Sequence, residues 1–472
     1  MRDIEMRLII IPIIILTATI VIADAFPIQS QNRQTKSRNT KQKKTATATK
    51  TNKNAHFEFL KALHEEKPIG GKFLGRLGLS SKGLSSYKIK EYNSYLISNF
   101  PKASSDHVQM FLIESYKNEK MWDEAQVGLL KFVYLYPSSS IYKKVLDDGY
   151  TVLQDEKYFG SYRDKLLLLI TDAPKTGKMH NRYYEFLGAV HDLKNKKLQS
   201  IFERESWEYL RLYPNRSSGS MVLMWLAQIE QENNAFHPAV MIYEKLMALY
   251  PASKDYASAL YQVAMLKQEK FNDYNDATVS FRRFLKKFPK HKYVAHAQHR
   301  IATMADKNFN DWSTAVKEYE KLAKKYPTFK YTVPSLLRVG EIQATKLKLK
   351  EQAISTYNRV ATEYPDSTLQ ATEALQRSAK LYQKGKEYEQ AIHQYMAVND
   401  NYPGTKGALK SLKECATIYE KKMKQKDKAI EVLNTIVKEF PESKDAKRAE
   451  KRINKLLSLI HISEHTRPSL SS

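Results

Sequence analysis

An aromatic residue followed by proline returns along this 472-residue chain at a nearly fixed interval, and no other feature restricts the fold as strongly. The prolines are Pro101, Pro137, Pro174, Pro214, Pro251, Pro289, Pro327, Pro365, Pro403 and Pro441, spaced by 36, 37, 40 and 37 residues and then by 38 five times. Nine of the ten follow Tyr or Phe; Pro174, after Ala173, is the exception. A constant period of roughly 20 to 50 residues is the mark of stacked repeats. Such a body grows by adding units, so a chain of this length need not divide into about three globular domains.

Counting back from each proline gives the interior of a unit. Twelve residues before it stands alanine in seven cases: Ala125, Ala239, Ala277, Ala315, Ala353, Ala391 and Ala429. Eight before it stands an aromatic in five, Tyr243, Phe281, Tyr319, Tyr357 and Tyr395, and five before it an apolar residue such as Leu246, Phe284, Leu322, Val360, Val398 or Ile436. Offsets of four and three put all three positions on one helical face, and proline ends the helix. An upstream helix carries a small residue 25 positions before proline, at Ala264, Ala302, Gly340, Ser378 and Ala416. Two residues after proline, Ser139, Thr176, Ser253, Ser367, Thr405 and Ser443 are expected N-caps. Each unit is then an antiparallel helix pair that cannot bury its faces alone, and the fold class is all-α.

The sequence of small residue, alanine, aromatic, apolar residue and proline resembles the tetratricopeptide repeat (TPR), in a form longer than the usual unit of about 34 residues. Units such as Tyr357 to Pro365, followed by Asp366 and Ser367, are similar to those of the periplasmic TolA-binding cell-division coordinator and of the outer-membrane barrel-assembly lipoproteins. The resemblance covers roughly residues 87–456 and implies a right-handed α-solenoid of about ten TPR-like helix pairs. It also implies a concave groove lined by the first helices, suited to a segment of a protein partner. Groove candidates on that alignment are Tyr261, Gln268, His299 and Thr303. The chain departs from both families: no lipid-attachment cysteine follows the apolar run, and no heptad-patterned helix precedes the array.

The amino-terminal run Leu8 to Ile22 is almost wholly apolar and ends in Ala23-Asp24-Ala25. It is short for a span of about 20 residues and is read as a cleaved export signal within residues 1–25. The alternative is an uncleaved anchor over residues 8–23, because the basic charge follows the apolar run rather than preceding it. Residues 28–55 hold eight basic and no acidic side chains and are expected to be disordered, with 26–86 as linker and lead-in. Its glycines form neither a G-x-G-x-x-G nor a P-loop pattern.

Beyond that stretch, positive charge, part of a formal +26, is densest at Arg282, Arg283, Lys286, Lys287, Lys290, His291 and Lys292. Such a ridge suits an anionic membrane, a cell-wall polymer or an acidic protein. Nucleic acid is not expected, since the chain is read as exported and carries no nucleic-acid module. The single cysteine, Cys415, excludes an internal disulfide and is read as core. The scattered histidines, and the absence of H-E-x-x-H or G-x-S-x-G, give no catalytic, cofactor or metal site. Ser458 to Pro468 resembles a translated sequencing adaptor, so residues 457–472 are expected to be a non-native tail that breaks the repeat. The expectation is a non-enzymatic scaffold of the bacterial cell envelope, periplasmic or membrane-tethered. Its alternatives are the superhelical part of a truncated envelope enzyme such as a lytic transglycosylase, or an anchored scaffold facing the cytoplasm.

Overall fold

The computed structural model describes residues 55–65, 81–102, 104–153 and 163–465, and every regular element among them is helical. The apolar run at residues 8–22 and the basic stretch up to residue 54 lie outside the described residues. The chain forms two compact units, residues 1–132 with 138–155, and residues 133–137 with 156–472. The array expected over 87–456 is thus divided within the repeat between Pro137 and Pro174. That repeat has Tyr162 where seven of the ten place alanine.

In the first unit, α1 (residues 55–64) precedes α2 (Ser81–Asn99), α3 (Ser105–Asn118), α4 (Trp122–Leu135) and α5 (Tyr142–Val152). The sequence reads α1 as lead-in, yet it buries Leu60 and Leu63, and His64 stacks on Phe111 at 4.1 Å. His64 also pairs with Glu114 at 2.9 Å.

The second unit begins with α6 (Arg163–Thr171), α7 (Met179–Asp192), a 3-10 turn (Lys196–Leu198) and α8 (Gln199–Leu212). Helix pairs then follow in regular order. They are α9 (Gly219–Glu232) with α10 (Phe236–Leu249), α11 (Asp255–Glu269) with α12 (Tyr274–Lys287), and α13 (Val294–Lys307) with α14 (Trp312–Lys325). Next come α15 (Thr332–Thr345) with α16 (Lys350–Glu363), α17 (Thr368–Lys384) with α18 (Tyr388–Asn401), and α19 (Lys406–Thr417) with α20 (Lys426–Glu439). The last helix, α21 (Lys444–His465), stays helical through the stretch expected to break the pattern; it buries Leu456 and exposes Leu457 and Leu459.

The repeat positions explain this packing. Ala239, Ala277, Ala315, Ala353, Ala391 and Ala429 are all fully buried, as are the small residues Ala264, Ala302, Ser378 and Ala416. With no side chain beyond Cβ or Oγ, they let the first and second helices of a pair approach closely, and the aromatic four residues on fills the adjoining space. Where the small residue is Gly340, an added Cβ would meet the ring of Tyr357 at 2.5 Å. The proline acts one residue upstream. It disfavours the α region for its predecessor, so Tyr250, Phe288, Tyr326, Tyr364, Tyr402 and Phe440 leave the helix with φ between −126° and −135° and ψ between 48° and 61°. Two of these rings also tie one proline turn to the next, Tyr250 donating to the Pro214 carbonyl at 3.0 Å and Tyr402 to that of Pro365 at 3.2 Å.

Capping follows the sequence only in part. Thr405 and Ser443 accept from the backbone N–H three residues on, at 3.1 and 2.9 Å. Ser367 occupies the cap without a side-chain bond, Ser253 sits one residue ahead of it, and Thr176 lies before the cap Lys178. Each turn within a pair carries one left-handed residue, seventeen before the proline: Asn234, Asn272, Asn310, Lys348, Lys386 and Lys424, with φ from 54° to 63°. Closure comes from bonds such as Asp311 N–H to the Ala305 carbonyl at 2.9 Å.

Candidate interaction site

Packing fixes the residues before each proline, whereas the residues after it are left freer. In most repeats they read Ser or Thr at the second position, as in Ser253, Ser367 and Thr405. Ala103 and Arg216 stand there after Pro101 and Pro214, and two consecutive boundaries carry rings instead. After Pro289 come His291, Tyr293, His296 and His299, and after Pro327 come Phe329 and Tyr331.

The fold brings these rings together with Tyr261 on the first helices α11, α13 and α15. Tyr293 stacks on Tyr261 at 4.5 Å, and Tyr331 stacks on His299 at 4.8 Å, the same arrangement one repeat later. His296 bridges the two stacks, 6.2 Å from Tyr293 and 4.7 Å from Phe329, which in turn lies 5.4 Å from Tyr331. The result is a continuous aromatic series across two repeats. Tyr331 remains 38 % exposed. Lysines flank it, Lys292 over Tyr293 at 5.0 Å and Lys330 over Tyr331 at 4.7 Å.

The histidines add no charge at neutral pH. Burial lowers His299 to about 4, with Arg300, His296 and Lys307 acting in the same direction. Burial followed by Lys330 and Arg300 also lowers His296, and burial followed by Lys292 lowers His291. The cluster therefore offers neutral ring faces inside and ammonium groups outside, an arrangement that takes an aromatic or aliphatic side chain beside a carboxylate.

The predicted groove residues divide. His299 and Tyr261 belong to the cluster, but Tyr261 is buried beneath Tyr293 and forms its floor rather than its lining. Thr303 is turned inward, donating to the His299 carbonyl at 2.9 Å and accepting from Tyr319 at 3.5 Å. Gln268, two turns further along α11, is buried with its Oε1 lacking a hydrogen-bond partner, so it is a packed residue and not a groove contact.

The predicted basic ridge divides as well. Arg282 reaches Glu318 of the next pair at 3.0 Å, and Arg283 donates to the Tyr256 hydroxyl at 2.8 Å, so both are structural ties. Lys287 lies 3.7 Å over the Tyr256 ring. Lys286, Lys290 and Lys292 are exposed, and Lys292 joins the cluster. Reading the two sets separately missed Tyr293, His296, Phe329, Lys330 and Tyr331. The signal for them was present, in the loss of Ser or Thr after two successive prolines. Among the described residues no group of three or more His, Cys, Asp or Glu side chains is arranged to hold a metal.

A stack of helix pairs with an aromatic series along its first helices is the architecture of a repeat scaffold. The tetratricopeptide repeat family model matches residues 258–291, 296–328, 335–367, 373–405 and 416–443, and these segments are tetratricopeptide repeats. Tyr261 and His291 fall in the first and His296 and His299 in the second, while Tyr293, Phe329 and Tyr331 lie in the intervals between matched segments. No curated protein matches the chain. Among solved structures, a tetratricopeptide repeat protein from Parabacteroides merdae is 13 % identical over 58 % of this chain and 99 % of its own, with a TM-score of 0.32. Yeast Tom70 is also 13 % identical, over 88 % of this chain and 93 % of its own, with a TM-score of 0.27.

Proposed function

We propose that the second unit is a protein-interaction scaffold of the bacterial cell envelope, holding an extended partner segment along its first helices at the cluster from Tyr261 to Tyr331. The aromatic series carries this reading. The next two repeats carry Ser367 and Leu369, or Thr405 and Gly407, at the same distance after proline, where the first helix starts two residues earlier. Tyrosine presents a large amphipathic face at little entropic cost, and the lysines speed the approach of an acidic segment. Placement in the envelope rests on the apolar run and the Ala23-Asp24-Ala25 that ends it.

A photo-crosslinking residue at position 331 tests the site in cells, with exposed Lys317 on α14 as the control position. A discrete partner adduct at 331, lost when Tyr293 is Ala, is expected. Identical adduct patterns at 331 and 317 would refute the reading. A compartment-specific reporter fused after residue 55 tests the location separately; activity on the cytoplasmic side would overturn it.

A further inference from the structure

The 40-residue interval from Pro174 to Pro214 gives the second unit a feature the regular repeats lack. Between α7 and α8 the chain makes a left-handed residue at Lys194 and a 3-10 turn over Lys196–Leu198. Beside this turn a cleft of about 570 Å³ opens along α7, α8, α9 and α11. Its size lies in the range of roughly 300–1,000 Å³ usual for small-ligand sites.

The lining is half apolar. Val190, Leu198 and Ile229, with the rings of His191 and Phe202, supply the apolar part. Five primary amides supply most of the rest: Asn195, Gln199, Gln228, Gln231 and Gln262. Two of them are oriented from behind. The Gln231 Oε1 accepts from the Tyr243 hydroxyl at 2.5 Å and the Asn195 Oδ1 from the Lys197 N–H at 3.1 Å, which leaves their NH₂ groups as donors. The His191 ring is fixed too, stacked at 5.0 Å on Trp225, which stacks on Tyr184 at 5.4 Å. Gly188 sits beneath that tier, where an added Cβ would stand 3.6 Å from the Trp225 ring.

Amides donate and accept side by side without charge, and so match vicinal hydroxyls; ring and aliphatic faces match the C–H face of a sugar. The charged residues at the cleft, Lys194, Lys196 and Glu232, are exposed and of both signs, so they select no net charge. We propose that this cleft binds an uncharged pyranose unit of a glycan, at a site separate from the aromatic cluster and independent of the partner proposed there.

Calorimetric titration of the full chain with chitotetraose, cellotetraose and maltotetraose tests it. At least one is expected to bind, and Gln228→Leu and Gln262→Leu, on two different helices, should each weaken it about tenfold with unchanged melting. Tyr331→Ala should leave the sugar affinity untouched. Absence of binding by all three sugars, or binding that both glutamine variants leave intact, would overturn the proposal. So would equal competition by an uncharged glycine-serine decapeptide, which would assign the amides to a peptide backbone instead.

Discussion

Replacing Arg338 with Met should damage the array more than the loss of a surface charge. The Asp306 side chain at the end of α13 has no exposed surface, and among the described residues the cation bonded to it is Arg338 on α15, one repeat on. Two parallel bonds join them, Nε to Oδ2 and Nη2 to Oδ1, each 2.8 Å. Removing one partner of a buried pair costs about 3–5 kcal/mol, because the other charge stays desolvated. Here the Arg338 side chain is 34 % exposed, so water can reach the vacated position, and the Tyr319 hydroxyl at 3.5 Å from Oδ2 gives weak compensation. The expected cost is therefore about 3 kcal/mol at pH 7. Methionine keeps most of the aliphatic stem, so lost packing contributes little.

The pH dependence of that loss has a definite sign. Without the guanidinium the buried carboxylate is an uncompensated charge only while it is ionised, and protonation removes that charge. The penalty is then full at neutral pH and relieved as pH falls. Asp306→Leu combined with Arg338→Met should recover to within about 1 kcal/mol of the parent. Urea unfolding at pH 7 and pH 4 measures these differences, and hydrogen exchange in α13 and α15 shows whether the opening is local. A cost below about 1 kcal/mol for Arg338→Met, or a double variant no more stable than the single one, would refute the reasoning.

Three further outcomes follow from the repeat geometry. Ala353→Leu and Ala391→Leu should each overpack a helix crossing and cost about 1–3 kcal/mol; unchanged melting in both would contradict the repeat register. Lys348→Asn and Lys386→Asn should each stabilise by about 0.5 kcal/mol, because asparagine tolerates the left-handed turn that Asn234, Asn272 and Asn310 already occupy; lower melting temperatures in both would refute this. Burial puts His299 at about 4 against about 6.5 when unfolded, so the folded state binds fewer protons between those values. Its contribution is therefore complete above pH 6.5 and lost as pH falls toward 4, and His299→Phe should flatten the urea midpoint across that window. An NMR titration of His299 centred near 6.5 would contradict it.

The helix-pair interior was legible because each of its positions answers to one physical demand that recurs in every unit. An alanine such as Ala391 and an aromatic such as Tyr395 are constrained by the same crossing, and both are buried. Cys415 follows the same logic: it is fully buried, and burial pushes its thiol up to about 12. The turn residues were harder to read. Asn fills three successive repeats and Lys the next three at a position defined by backbone φ rather than by polarity, so no composition pattern marks it. The division into two units turns on one irregular repeat, and a count of prolines registers only its spacing. The site residues were only half legible, since helical offsets identify a face but not how deeply it lies. Tyr261 and Gln268 share the chosen face with His299, yet both are covered.

Regularity also gives a way to separate binding from folding at the cluster. The helices before Pro289, Pro327 and Pro365 end alike, but the next helix starts at Val294 and Thr332 after the first two prolines and already at Thr368 after Pro365, where Ser367 and Leu369 stand in place of Phe329 and Tyr331. Phe329→Ser with Tyr331→Leu installs the pair that the next boundary carries beside an earlier helix start. Two losses oppose the change: the Tyr331 stack on His299 and the Phe329 edge contact with His296. Aromatic pairs contribute about 0.5–1.5 kcal/mol each beyond buried area. The net change in stability should stay within about 3 kcal/mol. If the aromatic series serves a partner, capture at position 293 should fall far more than stability does. If it serves the fold, stability should fall first and capture only in proportion to the unfolded fraction.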